Sequence, residues 1–262
     1  MYFSKSALIA AMAGLSAARS VPASTCSKRS AEPSFDNGVY VVSDTAQFSN
    51  HKQFTFEGSS LPDGLYAADW GIDENWSVNA ENVAVKDGYL VLTVPGGQSK
   101  PYKSAEVDTT VGNILYGSVR TVAIFSQTPG VCNGIFFYKS DSQETDIEWL
   151  SDPNNTSDNG VNHLWLTNQE NDGDGKKTVF SVAPPSNPTT TEHEYRIDWT
   201  QGRVQWFVDG VQVAETTKDV PSVPGPWVWN NWSNGDIGWS AGPPTADAVF
   251  KIKSIDMYYN TA

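Results

Sequence analysis

Apolar and polar residues alternate in short bursts along most of this chain. Residues 83–85 and 89–94 are β-branched runs flanking Lys86-Asp87-Gly88, a pattern that predicts two strands joined by a tight turn. Runs at 195–199, 203–208 and 211–214 are separated by Gln201-Gly202 and Asp209-Gly210, which predicts a three-strand meander. Further β-branched or aromatic runs fall at 116–125, 135–138, 144–150, 161–167 and 249–258. No window sustains a 3.6-residue apolar period. Many short strands punctuated by Gly, Asp and Asn predict an all-β chain of two packed antiparallel sheets. After residue 40 no stretch is polar and simple enough to be a linker, the Pro-rich piece 184–188 reads as a loop, and no repeat is found. One domain over residues 35–262 is the economical division.

The start of the chain follows another pattern. Lys5 precedes an apolar run over residues 7–18, too short to span a bilayer and of the length of a secretory signal. Residues 1–20 are therefore expected to be a signal peptide. Lys28-Arg29 resembles a dibasic processing site, so a pro-segment could extend to residue 29 and the mature chain begin near Ser30. That processing would also remove Cys26. Earlier cleavage would instead leave Cys26 free to pair with Cys132 in an oxidising compartment. The chain ends Ser-Ile-Asp-Met-Tyr-Tyr-Asn-Thr-Ala, without an apolar tail, so no membrane anchor is expected. Sequons at Asn75, Asn154, Asn155 and Asn231 suit a secreted glycoprotein.

Composition narrows the chemistry. With 17 Lys and Arg against 30 Asp and Glu, the net charge of −13 gives no basic face for nucleic acid. Two Cys exclude a disulfide scaffold or a Cys-based zinc cluster, and His51, His163 and His193 show no close metal-ligand spacing. Ten Trp on an acidic chain point elsewhere, because sugars stack on indole faces while carboxylates bind hydroxyls or transfer protons. Asn171-Asp172-Gly173-Asp174-Gly175 lacks the closing Glu of an EF-hand and reads as a solvated turn.

The most informative segment is Glu144-Thr145-Asp146-Ile147-Glu148-Trp149-Leu150. On a strand, Glu144, Asp146 and Glu148 share one face, and Thr145, Ile147 and Trp149 the other. Three like charges at this spacing repel, and no Lys or Arg alternates with them. An amphipathic strand with an acidic face could look the same, but catalysis rewards the arrangement better. Two Glu leaning toward each other can bring their carboxyls within ~5–6 Å, the spacing of retaining glycoside hydrolysis. One carboxylate then attacks the anomeric carbon, and the other protonates the leaving oxygen and later activates water. The intervening Asp couples their titrations.

Glu-Thr-Asp-Ile-Glu-Trp resembles the E-x-D-x-E motif of glycoside hydrolase family 16, most closely its lichenase-like endo-β-glucanases. The likeness extends in order over about residues 80–258. It takes in Ser104-Ala105-Glu106 and Tyr116-Gly117-Ser118-Val119-Arg120 before the motif. After it come Ile197-Asp198-Trp199, Trp206-Phe207-Val208-Asp209-Gly210, Val220-Pro221-Ser222-Val223-Pro224-Gly225 and Asn230-Asn231-Trp232.

The resemblance implies a concanavalin A-like β-jelly-roll sandwich with its cleft on the concave face. It implies Glu144 as nucleophile, Glu148 as general acid/base and Asp146 as electrostatic helper. It also implies that Glu106, Phe136, Tyr138, Asn230, Trp232 and Trp239 line the substrate. Parity places 136 with 138 and 230 with 232. Such aromatics also pack cores, and for Phe136 both readings stand. Trp149, on the other face, and Trp199 are expected in the core, as is the side chain of Asn231, which should therefore carry no glycan.

This sequence departs from the lichenase pattern at Ser142 and Gln143, where Trp and Asp are usual. It departs again at Asp108, where an Arg is usual, and at Leu164 and Leu166, taken as the cleft positions of the neighbouring strand. The expectation is a secreted, monomeric enzyme acting on a β-glucan polysaccharide, with no cofactor, no metal in its site, no nucleic-acid partner and no membrane anchor. Some family members hold a structural calcium, but ligands that are largely backbone carbonyls cannot be read from sequence. A cell-wall transglycosylase of the same fold and a non-catalytic lectin-like protein are the alternatives.

Overall fold

The computed structural model describes residues 33–262. The expected signal peptide and Cys26 lie outside them. Along the described chain run β1 (Ser34–Asp36), β2 (Val39–Ser43), β3 (Ala46–Phe48), β4 (Asn50–Thr55), β5 (Leu65–Ala67), β6 (Trp70–Gly71), β7 (Trp76–Val78), β8 (Val83–Lys86), β9 (Tyr89–Val94) and β10 (Tyr102–Thr109). They continue as β11 (Ile114–Ile124), β12 (Cys132–Ser140), β13 (Gln143–Leu150), β14 (Leu164–Asn168), β15 (Thr178–Val182), β16 (His193–Thr200), β17 (Arg203–Val208), β18 (Val211–Thr216), β19 (Trp227–Trp232) and β20 (Ala248–Thr261). Between β7 and β8, Ala80–Asn82 forms a single 3-10 turn.

The strands build two large sheets and a small one. The first is ordered β15-β14-β13-β12-β19-β10-β7-β6, with β5 beside β10. The second is ordered β18-β17-β16-β11-β20-β9-β8, with β4 beside β20. β1, β2 and β3 form a separate meander. Pairing is antiparallel except between β10 and β7, which run parallel.

The predicted hairpins form as expected, and for a local reason. Asp87 and Gly88 have φ of 54° and 79°, and Asp209 and Gly210 have 51° and 73°. Positive φ at both central residues is what a type I′ hairpin turn requires, whereas the 201–202 turn has it at Gly202 alone, with φ of 71°. β14 starts later than the apolar run suggested, because Val161 lies exposed in the preceding turn. β10 escaped the sequence reading because Ser104, Glu106 and Asp108 interrupt its apolar pattern. β5 to β7 are too short to show one.

The two large sheets pack face to face. Ala105, Val107, Ile135, Phe137, Ile147, Leu164, Leu166, Trp227 and Trp229 of the first meet Leu92, Val119, Ile197, Trp199, Trp206, Phe250 and Ile255 of the second. Burying an indole removes ~200 Å² from water, worth about 5 kcal/mol at ~25 cal/mol/Å². Two core indoles also tie the sheets together: Trp206 Nε1 donates to the Asp146 carbonyl at 3.0 Å, and Trp229 Nε1 to Thr121 Oγ1 at 2.9 Å. Trp149 and Trp199 lie in this core as parity predicts, Trp149 stacked on Phe125 at 5.7 Å.

Leu164 and Leu166 are fully buried in the same core. This corrects their assignment to the cleft: register pairs Glu148 with Trp165 and Asp146 with Thr167, so the cleft-facing residues of β14 are Trp165 and Thr167.

Asn231 turns inward. Its Nδ2 donates to Leu92 O and Ala248 O, both at 2.9 Å, and its Oδ1 accepts from Asn133 Nδ2 at 2.8 Å. A glycan on this atom would require opening the core. Glycopeptide mapping of the full chain expressed through a secretory route is expected to find Asn231 unmodified. Asn231→Ala, which leaves two buried carbonyls without their donor, is expected to cost about 2–3 kcal/mol in denaturant unfolding.

Candidate active site

The face of the first sheet turned away from the core carries the predicted residues in register. β13 presents Glu144, Asp146 and Glu148, while Thr145, Ile147 and Trp149 are buried beneath. Across the β12 ladder, Tyr138 sits opposite Glu144, Phe136 opposite Asp146 and Gly134 opposite Glu148. β19 then sets Asn230 beside Gly134, and β10 sets Glu106 beside Asn230. One row across the sheet therefore reads Trp165, Glu148, Gly134, Asn230, Glu106.

Gly134 is required in that row. A Cβ there would lie 2.6 Å from Asn230 Oδ1 and 3.2 Å from the Phe136 ring. Asn230 Nδ2 reaches Glu106 Oε2 at 3.5 Å, and its Oδ1 is buried without a donor among the described residues. Asn230 and Glu106 are each only 5% exposed.

Phe136 and Tyr138 are partly exposed on the cleft face, their rings edge to face at 6.4 Å, which resolves Phe136 as a cleft residue. Trp239, from the loop between β19 and β20, is partly exposed, lies 5.3 Å from the Trp165 ring and donates Nε1–H to Glu148 Oε1 at 3.2 Å. Trp232 shares the cleft face but is 3% exposed, covered by Trp76 at 5.0 Å. Its indole is thus covered by protein rather than open to a sugar, a correction to its expected role as a stacking platform.

The departures also find partners. Asp108 is buried and accepts the Tyr66 hydroxyl at 2.8 Å. Gln143 accepts the Ser222 N–H at 2.8 Å and donates to Asn171, tying the β12–β13 turn to two loops. The Asn171–Gly175 turn is held by Asp219 Oδ1, which accepts the N–H of Asn171 and of Asp172 at 3.1 Å each. Asp172 Oδ2 accepts in turn from the Asp219 N–H, so the turn is closed by protein groups. Among the described residues no group of three or more His, Cys, Asp or Glu is arranged to hold a metal ion.

Electrostatics separate the three carboxylates. Burial, then the charges of Glu148 and Asp141, push Glu144 up to about 8, against the pull of Lys177. Asp146, 1% exposed, is raised well above the usual carboxylate range by burial and by its two flanking glutamates. Its Oδ1 accepts the Thr167 N–H at 3.1 Å, and its Oδ2 has no partner among the described residues. Glu148 is raised by burial, opposed by hydrogen bonds from Cys132 and Trp239 and by Lys177. The site therefore holds protons near neutral pH on carboxyls that share one strand face, an arrangement suited to proton transfer and nucleophilic attack at one ligand atom.

Sequence reasoning missed Gly134, Trp165, Cys132 and Lys177. The first two were accessible in principle, Gly134 from its parity with Phe136 and Trp165 from the Leu164/Leu166 alternation around it. Cys132 shares that parity, but its contact with Glu148, like the approach of Lys177, is made only by the tertiary fold.

The chain is similar to known proteins. The model of glycosyl hydrolases family 16 matches residues 71–244. A β-glucanase of Paenibacillus polymyxa is 26% identical over 167 residues, covering 62% of this chain and 66% of that protein. Crh-like protein 1 of Aspergillus fumigatus is 25% identical over 213 residues, covering 73% of this chain and 56% of that protein. The match thus spans between about half and two thirds of these relatives' own length. A β-1,3-1,4-glucanase (lichenase) from a mouse hindgut metagenome superposes with a TM-score of 0.64 at 22% identity, covering 81% of this chain and 99% of its own.

Two outcomes follow from the site as built. Glu144 and Asp146 hold protons when folded at pH values where the unfolded chain has lost them. Between about 4.5 and 8 the native state binds more protons, so stability falls as pH rises through that window. Glu144→Gln should flatten this slope and raise Tm more at pH 8 than at pH 4.5, checked by thermal melts across pH. Gly134→Ala, which drives a methyl into Asn230, is expected to lower stability by about 1–3 kcal/mol, measured by denaturant unfolding.

Proposed function

The chain belongs to glycosyl hydrolases family 16, and on that premise we propose that it is a secreted, retaining endo-β-glucanase acting on β-1,3-1,4-glucan or mixed β-1,3(4)-glucan. The observation that carries the reading is the triad: three carboxyls on one face of β13, in three different environments, flanked by partly exposed Phe136, Tyr138, Trp165 and Trp239. A binding protein has no use for carboxyls held against their own repulsion in this way. The lichenase and β-glucanase relatives support a β-glucan substrate, and the N-terminal pattern of Lys5 and the apolar run supports secretion.

In this reading Glu144 attacks the anomeric carbon as the glycosidic C–O bond breaks. Glu148 gives its proton to the departing oxygen. Water then attacks the glycosyl-enzyme, its proton passes to Glu148, and Glu144 leaves as carboxylate. Asp146, between the two and raised by burial and by both glutamates, is the electrostatic helper. In the free site Glu148, with two donors on one oxygen, is favoured as carboxylate relative to Glu144. Binding of the sugar chain desolvates Glu148 further against the glycosidic oxygen and moves the proton onto it.

A second reading, cell-wall transglycosylation, is favoured by one feature. Trp165 and Trp239 pack together beside Glu148, with the Lys177 ammonium 5.4 Å from the Trp239 ring. Such a shell keeps water from the acid/base and offers a sugar acceptor a stacking surface.

Purified protein is expected to hydrolyse lichenan, barley glucan or laminarin, releasing the β-anomer first in a proton NMR time course. No turnover of any of the three would overturn the glucanase reading, and products longer than the donor would establish transfer. Glu144→Gln and Glu148→Gln should each lower kcat by about 10²–10⁴. The alkaline limb of kcat should lie at higher pH than that of kcat/KM, because the first reports the substrate-bound acid and the second the free one.

A further inference from the structure

The side of the cleft beyond Glu148 contains a thiol that the hydrolytic scheme does not use. Cys132 opens β12, on the same face as Gly134, Phe136 and Tyr138. It is a free cysteine, fully buried, in a cluster with Trp76, Tyr102, Leu150 and Trp232. Its Sγ–H donates to Glu148 Oε1 at 3.1 Å, the oxygen that also accepts the Trp239 indole N–H at 3.2 Å.

Two donors from different elements, one on a strand and one on a loop, therefore converge on a single oxygen. A carboxyl proton on Oε1 would point at those donors, so the protonated form of Glu148 must carry its proton on Oε2. Rotating the carboxyl to exchange its oxygens would break both hydrogen bonds. The thiol stays a donor across the working range, because burial foremost, with the nearby Glu148 charge, raises its pKa well above that of a free cysteine.

We propose that Cys132 is a positioning residue for the acid/base: together with Trp239 it pins Oε1 of Glu148 and so fixes Oε2 as the oxygen that delivers the proton to the glycosidic bond. The inference rests on the assignment of Glu148 as acid/base and adds how that carboxyl is oriented and tuned. A thiol suits the task for a chemical reason. A strong donor on Oε1 would stabilise the carboxylate and deplete the acid near neutral pH, whereas S–H is a weak donor that orients while stabilising the charge only slightly.

Other polar and charged groups stand on the elements around this carboxyl and are unchanged in the variants. Asp146 and Glu144 flank it on its own strand. From β12 comes Tyr138, whose hydroxyl is held by Asp141. From β14 comes Trp165, whose N–H goes to Asp158 at 2.9 Å, with His163 at 3.3 Å on the same oxygen. Lys177 lies on the loop after β14, and Glu106 two strands beyond β12.

Opposite substitutions test the role by sign. Cys132→Ala removes the donor and Cys132→Ser strengthens it. The Glu148 carboxyl is followed by carbon-13 NMR titration of glutamate-labelled full chain, its resonance assigned with Glu148→Gln. Relative to wild type, the midpoint is expected to rise by about 0.5–1 pH unit in Cys132→Ala and to fall in Cys132→Ser. The alkaline limb of kcat/KM on barley glucan should move in the same two directions. Cys132→Ala should lose about 3–10-fold in kcat while Cys132→Ser stays within about threefold. Thermal melts identify variants that fold, and a packing role alone would lower Tm without moving the midpoints in opposite senses. Midpoints that coincide in all three folded proteins, or shift in the same direction, would overturn the role of Cys132 and leave the glucanase reading standing. A wild-type chain inert on every glucan, with midpoints that split as expected, would overturn the hydrolytic reading and leave the carboxyl contact intact.

Discussion

The site depends on the burial of Ile147. Its side chain lies fully in the core between the sheets, with Thr145 and Trp149 on the same side. Strand alternation then leaves Glu144, Asp146 and Glu148 nowhere but the opposite face. A slip of one residue would carry three carboxyls into an apolar interior and bring Ile147 and Trp149 into the cleft, so the register is fixed by the core. The core thus holds together a charge cluster that would otherwise disperse. The Trp206 indole, which donates to the Asp146 carbonyl, ties the middle of this strand to the second sheet.

Once the carboxyls are confined, their acidities follow from surroundings. Asp146 sits at the centre, with a glutamate on each side and little water, and is raised well above the usual carboxylate range. Glu144, at the turn end, is raised chiefly by burial and by the negative charge around it. Glu148 receives two hydrogen bonds that favour its charged form. Three chemically similar groups become distinct because different charges and donors surround each: Glu148 and Asp141 beside Glu144, both glutamates beside Asp146, and the Cys132 and Trp239 donors on Glu148. The absent side chain at Gly134 leaves room for Asn230 beside it, in the row that runs from Glu148 to Glu106.

Much of this was legible in the sequence because strand parity is a local rule. The E-x-D-x-E spacing placed the triad, and the pairs 136/138 and 230/232 fell on the face expected. Asp-Gly pairs marked the hairpins because few residues accept positive φ. The reading failed where parity needed a register that one strand cannot supply. Leu164 and Leu166 were taken for cleft residues, and only their pairing with β13 showed that Trp165 and Thr167 face the carboxyls. Parity also placed Trp232 correctly, but could not show that Trp76, from a three-residue strand more than 150 positions earlier, would cover it.

The sequence by itself determined the class of fold, the face on which the carboxyls stand and the kind of chemistry they suit, since all three follow from residue type and a two-residue period. The tertiary structure decided what touches each carboxyl. The thiol of Cys132, the indole of Trp239 and the ammonium of Lys177 come from a neighbouring strand and from two loops. Hydrogen bonds and charges act over a few ångströms of space, whatever the separation along the chain, so the acidity and orientation of each group were set only when the sheets and loops closed around it.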